Sequence, residues 1–199
     1  MKERNFFCIF VLSLLIIFLI MYLEVVIQDI IRDNLRKIAV NTIKLFNKYN
    51  VEYWVDFGTL LGIIRENDII LGDNYVDICI LDTKSNHEKM KLVKNDIEKL
   101  GFKFTKEKWD AYRVKKLMLF ADIYINKFDY KNKLYLGPVG NNQNVSFDLI
   151  GTPKTIIWKK YNLPVKVPEN IHEVLVWRYG NDYMTPKHNF KGRTNGFLD

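Results

Sequence analysis

Residues 53–80 read YWVDFGTLLGIIRENDIILGDNYVDICI. The pattern predicts a strand, a turn of small residues, a short helix, and a second, nearly continuous apolar strand that carries carboxylates. Small residues in a turn let backbone N–H groups approach an anion, and a helix N-terminus behind the turn favours negative charge. Acidic residues on the next strand can hold the divalent cation that phosphate chemistry usually needs. This order of elements suits a site that binds the phosphates of a nucleotide.

Further helices and strands are predicted on both sides of this stretch. Ser85 with Glu88 forms a capping box for a helix that Gly101 closes, and a last helix opens at Pro168 and closes at Gly180. Strands, then a helix, then more strands indicate an α/β (α+β) fold whose mixed sheet is flanked by helices. The predicted helices lie at 28–49, 59–65, 85–100 and 168–179, and the predicted strands at 52–57, 76–81, 102–105, 112–115 and 117–125.

An apolar run at residues 6–23 is interrupted only by Ser13. Eighteen residues of helix span about 27 Å, close to the roughly 30 Å hydrocarbon layer of a bilayer. A cleaved signal peptide would need a small-residue site such as A-x-A, which residues 22–26 do not offer, and a buried core helix would show a polar face. We therefore expect an uncleaved membrane anchor at 1–27 and a single domain at 28–199.

The charges around this run leave its orientation open. Lys2 and Arg4 precede it, and Arg32, Arg36 and Lys37 follow it, so the positive-inside count is nearly balanced. A short tail before a large C-terminal domain suggests a single-pass, type II protein whose domain is lumenal or extracytoplasmic. The net charge of +7 fits either a surface that attracts anions or a solvated lysine-rich surface.

Asp77 and Asp122 are the strongest candidates for catalysis and metal binding. Each interrupts an otherwise apolar strand, in YVDICI and LFADIYI. An ionised carboxylate in such surroundings is costly unless a positive charge compensates it, and two adjacent strands about 4.8 Å apart could present both groups to one metal ion. The alternative is a strand-end Asp that caps a turn or pairs with a lysine. Asp73 can share the ion only if the chain bends at 72–74, because positions four apart on a strand are about 13 Å distant.

Gly58 and Thr59 are the candidate phosphate cradle. A Gly-Thr pair alone is a weak signal, but GTLLG followed by an arginine and an acidic strand is a stronger one. Arg65 can pair bidentately with a phosphate, and it can equally form a surface ion pair with Glu66 or Asp68.

Two further segments have both a functional and a structural interpretation. Asp56 precedes the cradle and either orients it, assists as a base, or, as we favour, shapes the turn. Residues 109–116, WDAYRVKK, either stack a base and bind a diphosphate or form a hairpin with an aromatic face and exposed lysines. The hairpin is the favoured interpretation.

Several of these residues carry a resemblance to a known family. The family's usual run is G-T-L-L-G followed by D-x-D-[IV]-D, which stands here as GTLLG at 58–62 and DNYVD at 73–77. VPEN at 167–170 and RYGNDYMTP at 178–186 are similar to the closing P-x-N and YGDxWMxP signature. On these motifs the chain resembles the LicD/fukutin family, nucleotidyltransferase-fold proteins that transfer phosphocholine or alditol phosphates onto glycans.

The resemblance implies a nucleotidyltransferase-like domain behind the membrane helix. It implies a CDP-activated small-molecule donor, a glycan or glycoprotein acceptor, and Mg²⁺ or Mn²⁺ as the cofactor. Asp73, Asp77 and Asp122 would be catalytic and would hold the metal, Asp122 being the carboxylate from a later strand. We do not expect nucleic acid as a partner, because the chain lacks an evident basic and aromatic groove and a membrane anchor suits such a partner poorly.

Tyr75 departs from the family pattern, since it stands where the middle carboxylate is usual. A neutral phenol is a poor ligand for a hard divalent cation. Two hypotheses therefore stay open. One is a metal-dependent transferase that releases CMP, and the other is a catalytically impaired relative that binds a glycan or a partner transferase.

Overall fold

The computed structural model describes residues 2–137 and 144–186, with side chains from residue 10 onward. A short 3-10 turn at Lys159–Tyr161 separates the last two strands. The helices are α1 (Lys2–Lys48), α2 (Phe57–Arg65), α3 (Lys84–Lys99), α4 (Phe147–Ile150) and α5 (Ile171–Tyr179), and the strands are β1 (Tyr53–Val55), β2 (Tyr75–Leu81), β3 (Lys103–Glu107), β4 (Ala111–Lys116), β5 (Leu119–Asp129), β6 (Leu134–Leu136), β7 (Val145–Ser146), β8 (Lys154–Trp158) and β9 (Leu163–Val167).

The main sheet is mixed, as the sequence predicts. Its strand order is β1-β2-β5-β4-β3, and β6 and β7 extend it from the far end of β5. Strands β2 and β5 run parallel, while their outer neighbours β1 and β4 pair antiparallel to them. The crossover from β2 to β5 passes through α3 and the β3–β4 hairpin. A separate hairpin, β8–β9, was not predicted from the sequence.

The central strands alternate between an apolar and a polar face. Ile78 and Ile123 are fully buried register partners, and Asp77 and Asp122 form the next pair along the same two strands. Successive strand residues point to opposite sides, so the isoleucines and the aspartates lie on opposite faces of the sheet. The apolar residues of β2 and β5 share one hydrophobic core with the second half of α1 and with α3.

Helix α1 passes from an exposed apolar half into the core without a break. Phe18 and Ile30 are 67% and 57% exposed, whereas Leu35 and Phe46 are fully buried. Within the described residues, α1 is the helix that is long and apolar enough to cross a membrane. By length and composition it has the properties of a single membrane span, and the boundary predicted at residue 27 falls inside it.

A charged network fixes α1 against the loop that follows α2. Arg36 donates from Nε and Nη2 to the two oxygens of Asp68 at 2.9 and 2.5 Å, and Lys160 also donates to Asp68. Arg32 donates to the carbonyl of Ile69 at 2.6 Å and to Glu66 at 3.0 Å. Burial raises the pKa of Asp68, but the bonds from Arg36 and Lys160 outweigh it and hold that pKa at about 2.

Some predicted element ends are wrong, and the last residue of the predicted 85–100 helix is exposed. Helix α3 begins at Lys84, because Thr83 has an extended backbone and accepts the N–H of Asn86 at 3.1 Å, so the capping box at residue 85 does not form. Leu100 is 54% exposed and does not belong to the buried stripe of α3. Helix α5 starts at Ile171 rather than at residue 168.

Replacing Asp68 by Asn should lower the free energy of unfolding of the full chain by about 1–2 kcal/mol at neutral pH, because Arg32, Arg36 and Lys160 lose their shared carboxylate. The pKa of Asp68 is depressed in the fold, so its contribution is present above 3.8 and is lost as the pH falls through about 2. Thermal unfolding in detergent at neutral and acidic pH measures both effects.

The matched control is Asp33→Asn. Asp33 forms an exposed i,i+4 pair with Lys37 at 2.6 Å, and loss of such a pair costs about 0.5 kcal/mol or less. Equal losses in the two variants would show that the Asp68 network does not hold α1 to the loop.

Candidate active site

Asp77 and Asp122 lie side by side on β2 and β5. They are register partners in the parallel pair, so both side chains point to the same face of the sheet, with the strands about 4.8 Å apart. Asp77 is 3% exposed and Asp122 is 5% exposed. The structure thus brings together the two carboxylates that the sequence singled out.

Asp77 is buried with little compensation for its charge. The hydroxyl of Tyr124 donates to its Oδ1 at 3.0 Å, and its backbone N–H donates to Oγ1 of Thr59 at 2.8 Å. Among the residues that the structure describes, no lysine or arginine lies within ion-pair distance of this carboxylate. The pKa of Asp77 is raised to about 8, chiefly by burial; the hydrogen bond from Tyr124 lowers it, and the charges of Asp122 and Asp73 add to the rise.

Asp122, by contrast, has a cation beside it. Arg113 of β4 is its register partner on the other side and donates from Nε and Nη2 at 2.5 and 2.8 Å. The guanidinium lies 3.9 Å from the ring centre of Phe120 and 5.5 Å from that of Trp109. The predicted β3–β4 hairpin is therefore present, and it also delivers an arginine and an aromatic ring to the acidic site.

Asp73 lies at the edge of the same region, beside the first turn of α2. A Cβ atom on Gly58 would come within 2.9 Å of Asp73 Oδ2, so glycine is what lets this carboxylate approach the helix. Burial raises the pKa of Asp73 to about 6, Glu66 raises it as well, and Arg65 lowers it. The bend before β2 thus returns Asp73 toward the site.

The predicted phosphate cradle is part of a helix. Gly58 and Thr59 lie in the first turn of α2, which begins at Phe57 rather than at residue 59. Thr59 is 3% exposed and its hydroxyl already accepts the N–H of Asp77. Arg65 donates to Glu66 at 2.8 Å and to the carbonyl of Tyr183 at 3.3 Å. It thus forms the ion pair with Glu66 that the sequence offered as the alternative to phosphate binding. The phosphate-binding role of these three residues stays a prediction.

A buried ion pair connects the start of α2 to α5. Asp56 caps α2 by accepting the N–H of Phe57 at 2.7 Å, and both its oxygens accept from Arg178 at 2.7 and 2.6 Å. The side chains of Asp56 and Arg178 are 1% and 3% exposed. The sequence predicted a turn role for Asp56 but not its pairing with Arg178. The signal was a single arginine in the otherwise mostly apolar IHEVLVWRY helix.

Tyr75 lies at the open end of β2. It is 45% exposed, and its ring stacks on Phe120 with centroids 5.9 Å apart and planes 9° from parallel. Burial raises the pKa of its phenol, as do Asp77 and Asp73, so the hydroxyl is neutral at physiological pH. Tyr75 therefore supplies an aromatic surface, not a charge, at this position.

A divalent cation suits part of this donor set. Asp77 and Asp73 are carboxylates with raised pKa values, which a hard cation would lower, and Asp122 is adjacent. Both oxygens of Asp122 are already bonded to Arg113, however. In the described part of the chain, no three potential ligands meet in metal-binding geometry. Metal binding by Asp73, Asp77 and Asp122 therefore stays a prediction, and it would require Arg113 to release Asp122.

A cavity of about 340 Å³ lies at the other end of β2 and β5. It does not include the acidic residues, and it is lined by Leu81, Asp82, Thr83, Asn126, Lys127, Phe128, Tyr130, Tyr135 and Phe147.

Residues 50–166, more than half of the chain, match the family model described as "LicD/FKTN/FKRP, nucleotidyltransferase domain". The match contains the three aspartates and the first turn of α2. It ends before α5 and Arg178.

Curated relatives occur in two Rickettsia species. The uncharacterized protein RP689 of Rickettsia prowazekii (strain Madrid E) is 35% identical over 105 residues, which are 50% of this chain and 37% of that protein. The uncharacterized protein RT0683 of Rickettsia typhi (strain ATCC VR-144 / Wilmington) is 28% identical over 116 residues, 51% of this chain and 37% of that protein. The matched region spans little more than a third of these relatives.

Two structures of the antibiotic-resistance factor ANT(2'')-Ia are also similar to this chain. The solution structure has a TM-score of 0.45 at 12% identity and covers 70% of this chain and 69% of that chain. The crystal structure in complex with adenylyl-2''-tobramycin has a TM-score of 0.40 at 11% identity, covering 69% of each. At these TM-scores, the similarity does not indicate what the site binds.

Replacing Arg178 by Met should cost about 3–5 kcal/mol of unfolding free energy, because it leaves the carboxylate of Asp56 buried without a cation. Urea unfolding of the full chain in detergent measures the loss. The matched control is Lys99→Met, since Lys99 is 75% exposed in its pair with Asp96 and should cost about 0.5 kcal/mol or less. A double variant, Asp56→Asn with Arg178→Met, should recover part of the loss; additive losses would contradict a coupled pair.

Proposed function

Since this chain belongs to the LicD/FKTN/FKRP family of nucleotidyltransferase domains, we propose that it is a membrane-anchored, metal-dependent phosphotransferase. It takes phosphocholine or an alditol phosphate from a CDP-activated donor, transfers it to a hydroxyl of a glycan or glycoprotein, and releases CMP. Family membership supports a transferase in general. The identities of the donor, the acceptor and the metal ion go beyond family membership and are part of the proposal.

The observation that carries the proposal is the environment of Asp77. A fully buried carboxylate whose pKa is raised to about 8 destabilises the fold when it ionises, unless a cation joins it. Its neighbours Asp122 and Asp73 add negative charge rather than compensate it. A site that concentrates negative charge in this way is suited to binding a cation together with the phosphates that follow it.

Asp77, Asp122 and Asp73 would hold Mg²⁺ or Mn²⁺. Such an ion, when bound, neutralises a diphosphate and makes its phosphorus more electrophilic. The rest of the site is supplied by the chain itself. The N-terminal turn of α2, with Gly58, presents backbone N–H groups toward a phosphate. Arg113 can pair with a phosphate when Asp122 turns to the cation.

The reaction needs one proton acceptor. The acceptor hydroxyl oxygen forms the new bond to phosphorus, the bond from phosphorus to the CMP oxygen breaks, and the hydroxyl proton passes to a carboxylate. One carboxylate of the site would accept or orient this proton. The aromatic rings of Trp109, Phe120 and Tyr75 lie around Arg113 and Asp122 and provide surfaces for a base or a sugar.

The proposed location of the protein, at a membrane, follows from helix α1. Its exposed apolar half is proposed to cross the membrane once, in a type II orientation, with the domain lumenal or extracytoplasmic. The charges on both sides of the span are nearly equal in number, so they do not decide the orientation.

The second candidate is a catalytically impaired relative that binds a glycan or a partner transferase. Two observations favour it. Tyr75 replaces a carboxylate and is held by its stack on Phe120, and Arg113 occupies both oxygens of Asp122. In this case the arginine permanently substitutes for the cation.

Replacing Asp77 by Asn should lower the rate of CMP release from CDP-activated donors by at least about a hundredfold. The fold should stay intact, because the amide has the same shape as the carboxyl group. A coupled CMP assay with the full chain in detergent, at fixed Mn²⁺, measures the rate. Asp148→Asn, an exposed position in α4, is the matched control and should keep the wild-type rate. Unchanged release in the Asp77 variant would contradict the proposed mechanism.

Replacing Tyr75 by Asp should raise CMP release, because it places a third carboxylate beside Asp77 and Asp73. Tyr75→Asn removes the same ring without adding a charge and is the control for lost stacking. A gain in the Asp variant alone identifies the tyrosine as what limits turnover. Equal rates in both variants would show that position 75 does not contribute to the metal site.

A further inference from the structure

Exposed apolar side chains line the end of the sheet where β2 and β5 begin. Leu117 and Met118 form the turn between β4 and β5 and are 85% and 91% exposed. Leu71, in the loop before β2, is 54% exposed. We call these three residues the apolar rim. The turn joins antiparallel strands and needs no apolar side chain for its own geometry, so packing within the domain does not explain the rim.

The apolar rim lies beside the point at which α1 leaves its exposed apolar half. Arg32 donates to the carbonyl of Ile69, two residues before Leu71. On the other side, Lys116 is close enough to Asp33 to help lower its pKa, after the larger effect of Lys37. From Ile27, at the end of the predicted span, to Arg32, which contacts the loop that carries Leu71, is about 7.5 Å along the helix. Headgroup layers are about 5–8 Å thick on each side of a bilayer, so the rim lies at that depth.

Leu117 has a positive φ, as do Phe57 and Lys133 among the residues that are neither glycine, asparagine nor aspartate. Its φ is +56°, a conformation that suits glycine, asparagine or aspartate and is strained for a branched apolar residue. Elsewhere in the described chain, such angles occur mostly at Asn50, Asn67, Asp110 and Asn162. At this position the leucine side chain is 85% exposed and free to contact a surface outside the domain.

Basic residues surround the apolar rim. Lys103 and Lys115 are register partners at the adjoining ends of β3 and β4, and Lys116 follows directly. An apolar tip flanked by lysines fits a bilayer surface that carries anionic headgroups. Binding of a protein partner or of a second copy would not require the apolar rim to lie at headgroup depth beside a membrane helix.

We propose that Leu71, Leu117 and Met118 insert into the headgroup layer of the bilayer that α1 crosses. The domain then lies on the membrane by a second contact, with the end of β2 that carries Tyr75 turned toward the lipid. This inference rests on the membrane anchoring contained in the proposed function, and it adds a contact that the anchor alone does not provide.

A fluorescent label at position 118 tests the contact. The full chain carries Cys8→Ser and Met118→Cys, is labelled with NBD, and is reconstituted into phosphatidylcholine and phosphatidylserine vesicles. Cys79 is buried and burial raises the pKa of its thiol well above the usual range, so it does not take the label. Vesicles that contain shallow spin-labelled lipid report proximity to the headgroups by quenching.

The matched control is Tyr130→Cys in the same background. Tyr130 is 85% exposed in the turn that follows β5, about 30 Å from the rim along that strand. We expect a blue-shifted emission and strong quenching at position 118, and solvent-like emission without quenching at position 130. Equal behaviour at both positions would overturn the proposal, as would a blue shift at 118 that lipid does not quench, which would indicate a protein cover.

Flotation of the same samples separates this inference from the anchor on which it rests. If the chain floats with vesicles and position 118 is not quenched, the anchor stands and the rim contact fails. If the chain does not float, the membrane anchoring of the proposed function fails and the rim contact fails with it. The CMP assay is independent of both results.

Discussion

Four carboxylates meet near the start of α2, and in the described chain guanidinium groups pair with two of them. Arg178 holds Asp56 and Arg113 holds Asp122, each through two hydrogen bonds. Asp77 lies between these pairs and is the most buried acid that has no such partner. With its pKa raised to about 8, Asp77 is mostly protonated at neutral pH, and a cation that reached it would favour its carboxylate form.

The two arginine pairs also organise the fold around the site. Arg178 fixes α5 against the cap of α2, so the C-terminal segment and the GTLLG helix form one unit. The β4–β5 register places Arg113 opposite Asp122, and the β2–β5 register places Asp77 on its other side. Gly58 then admits Asp73 beside the helix. The acidic face therefore depends on strand register and on contacts between distant segments.

The sequence predicted the central part of this arrangement. Single aspartates in apolar strands are visible in one segment at a time, and the period of two predicts that they leave the core face. The Arg178–Asp56 pair joins residues 122 positions apart, and local patterns contain no information on such a contact. The pairing of Arg113 with Asp122 was not predicted either, because it depends on the hairpin register, and a slip of one residue would turn the arginine to the other face. The β8–β9 hairpin was missed because Pro164 and several lysines hide its alternation.

Calorimetric titration of the full chain with Mn²⁺, in detergent and with CDP present, tests the central claim that Asp77 is the binding position of a cation. Wild-type protein should bind one ion, Asp77→Asn should weaken that binding by at least about tenfold, which is about 1.4 kcal/mol, and Asp148→Asn should leave it unchanged. Absence of binding to the wild type, or equal affinity in the wild type and Asp77→Asn, would contradict the account and favour a domain in which Arg113 has replaced the metal.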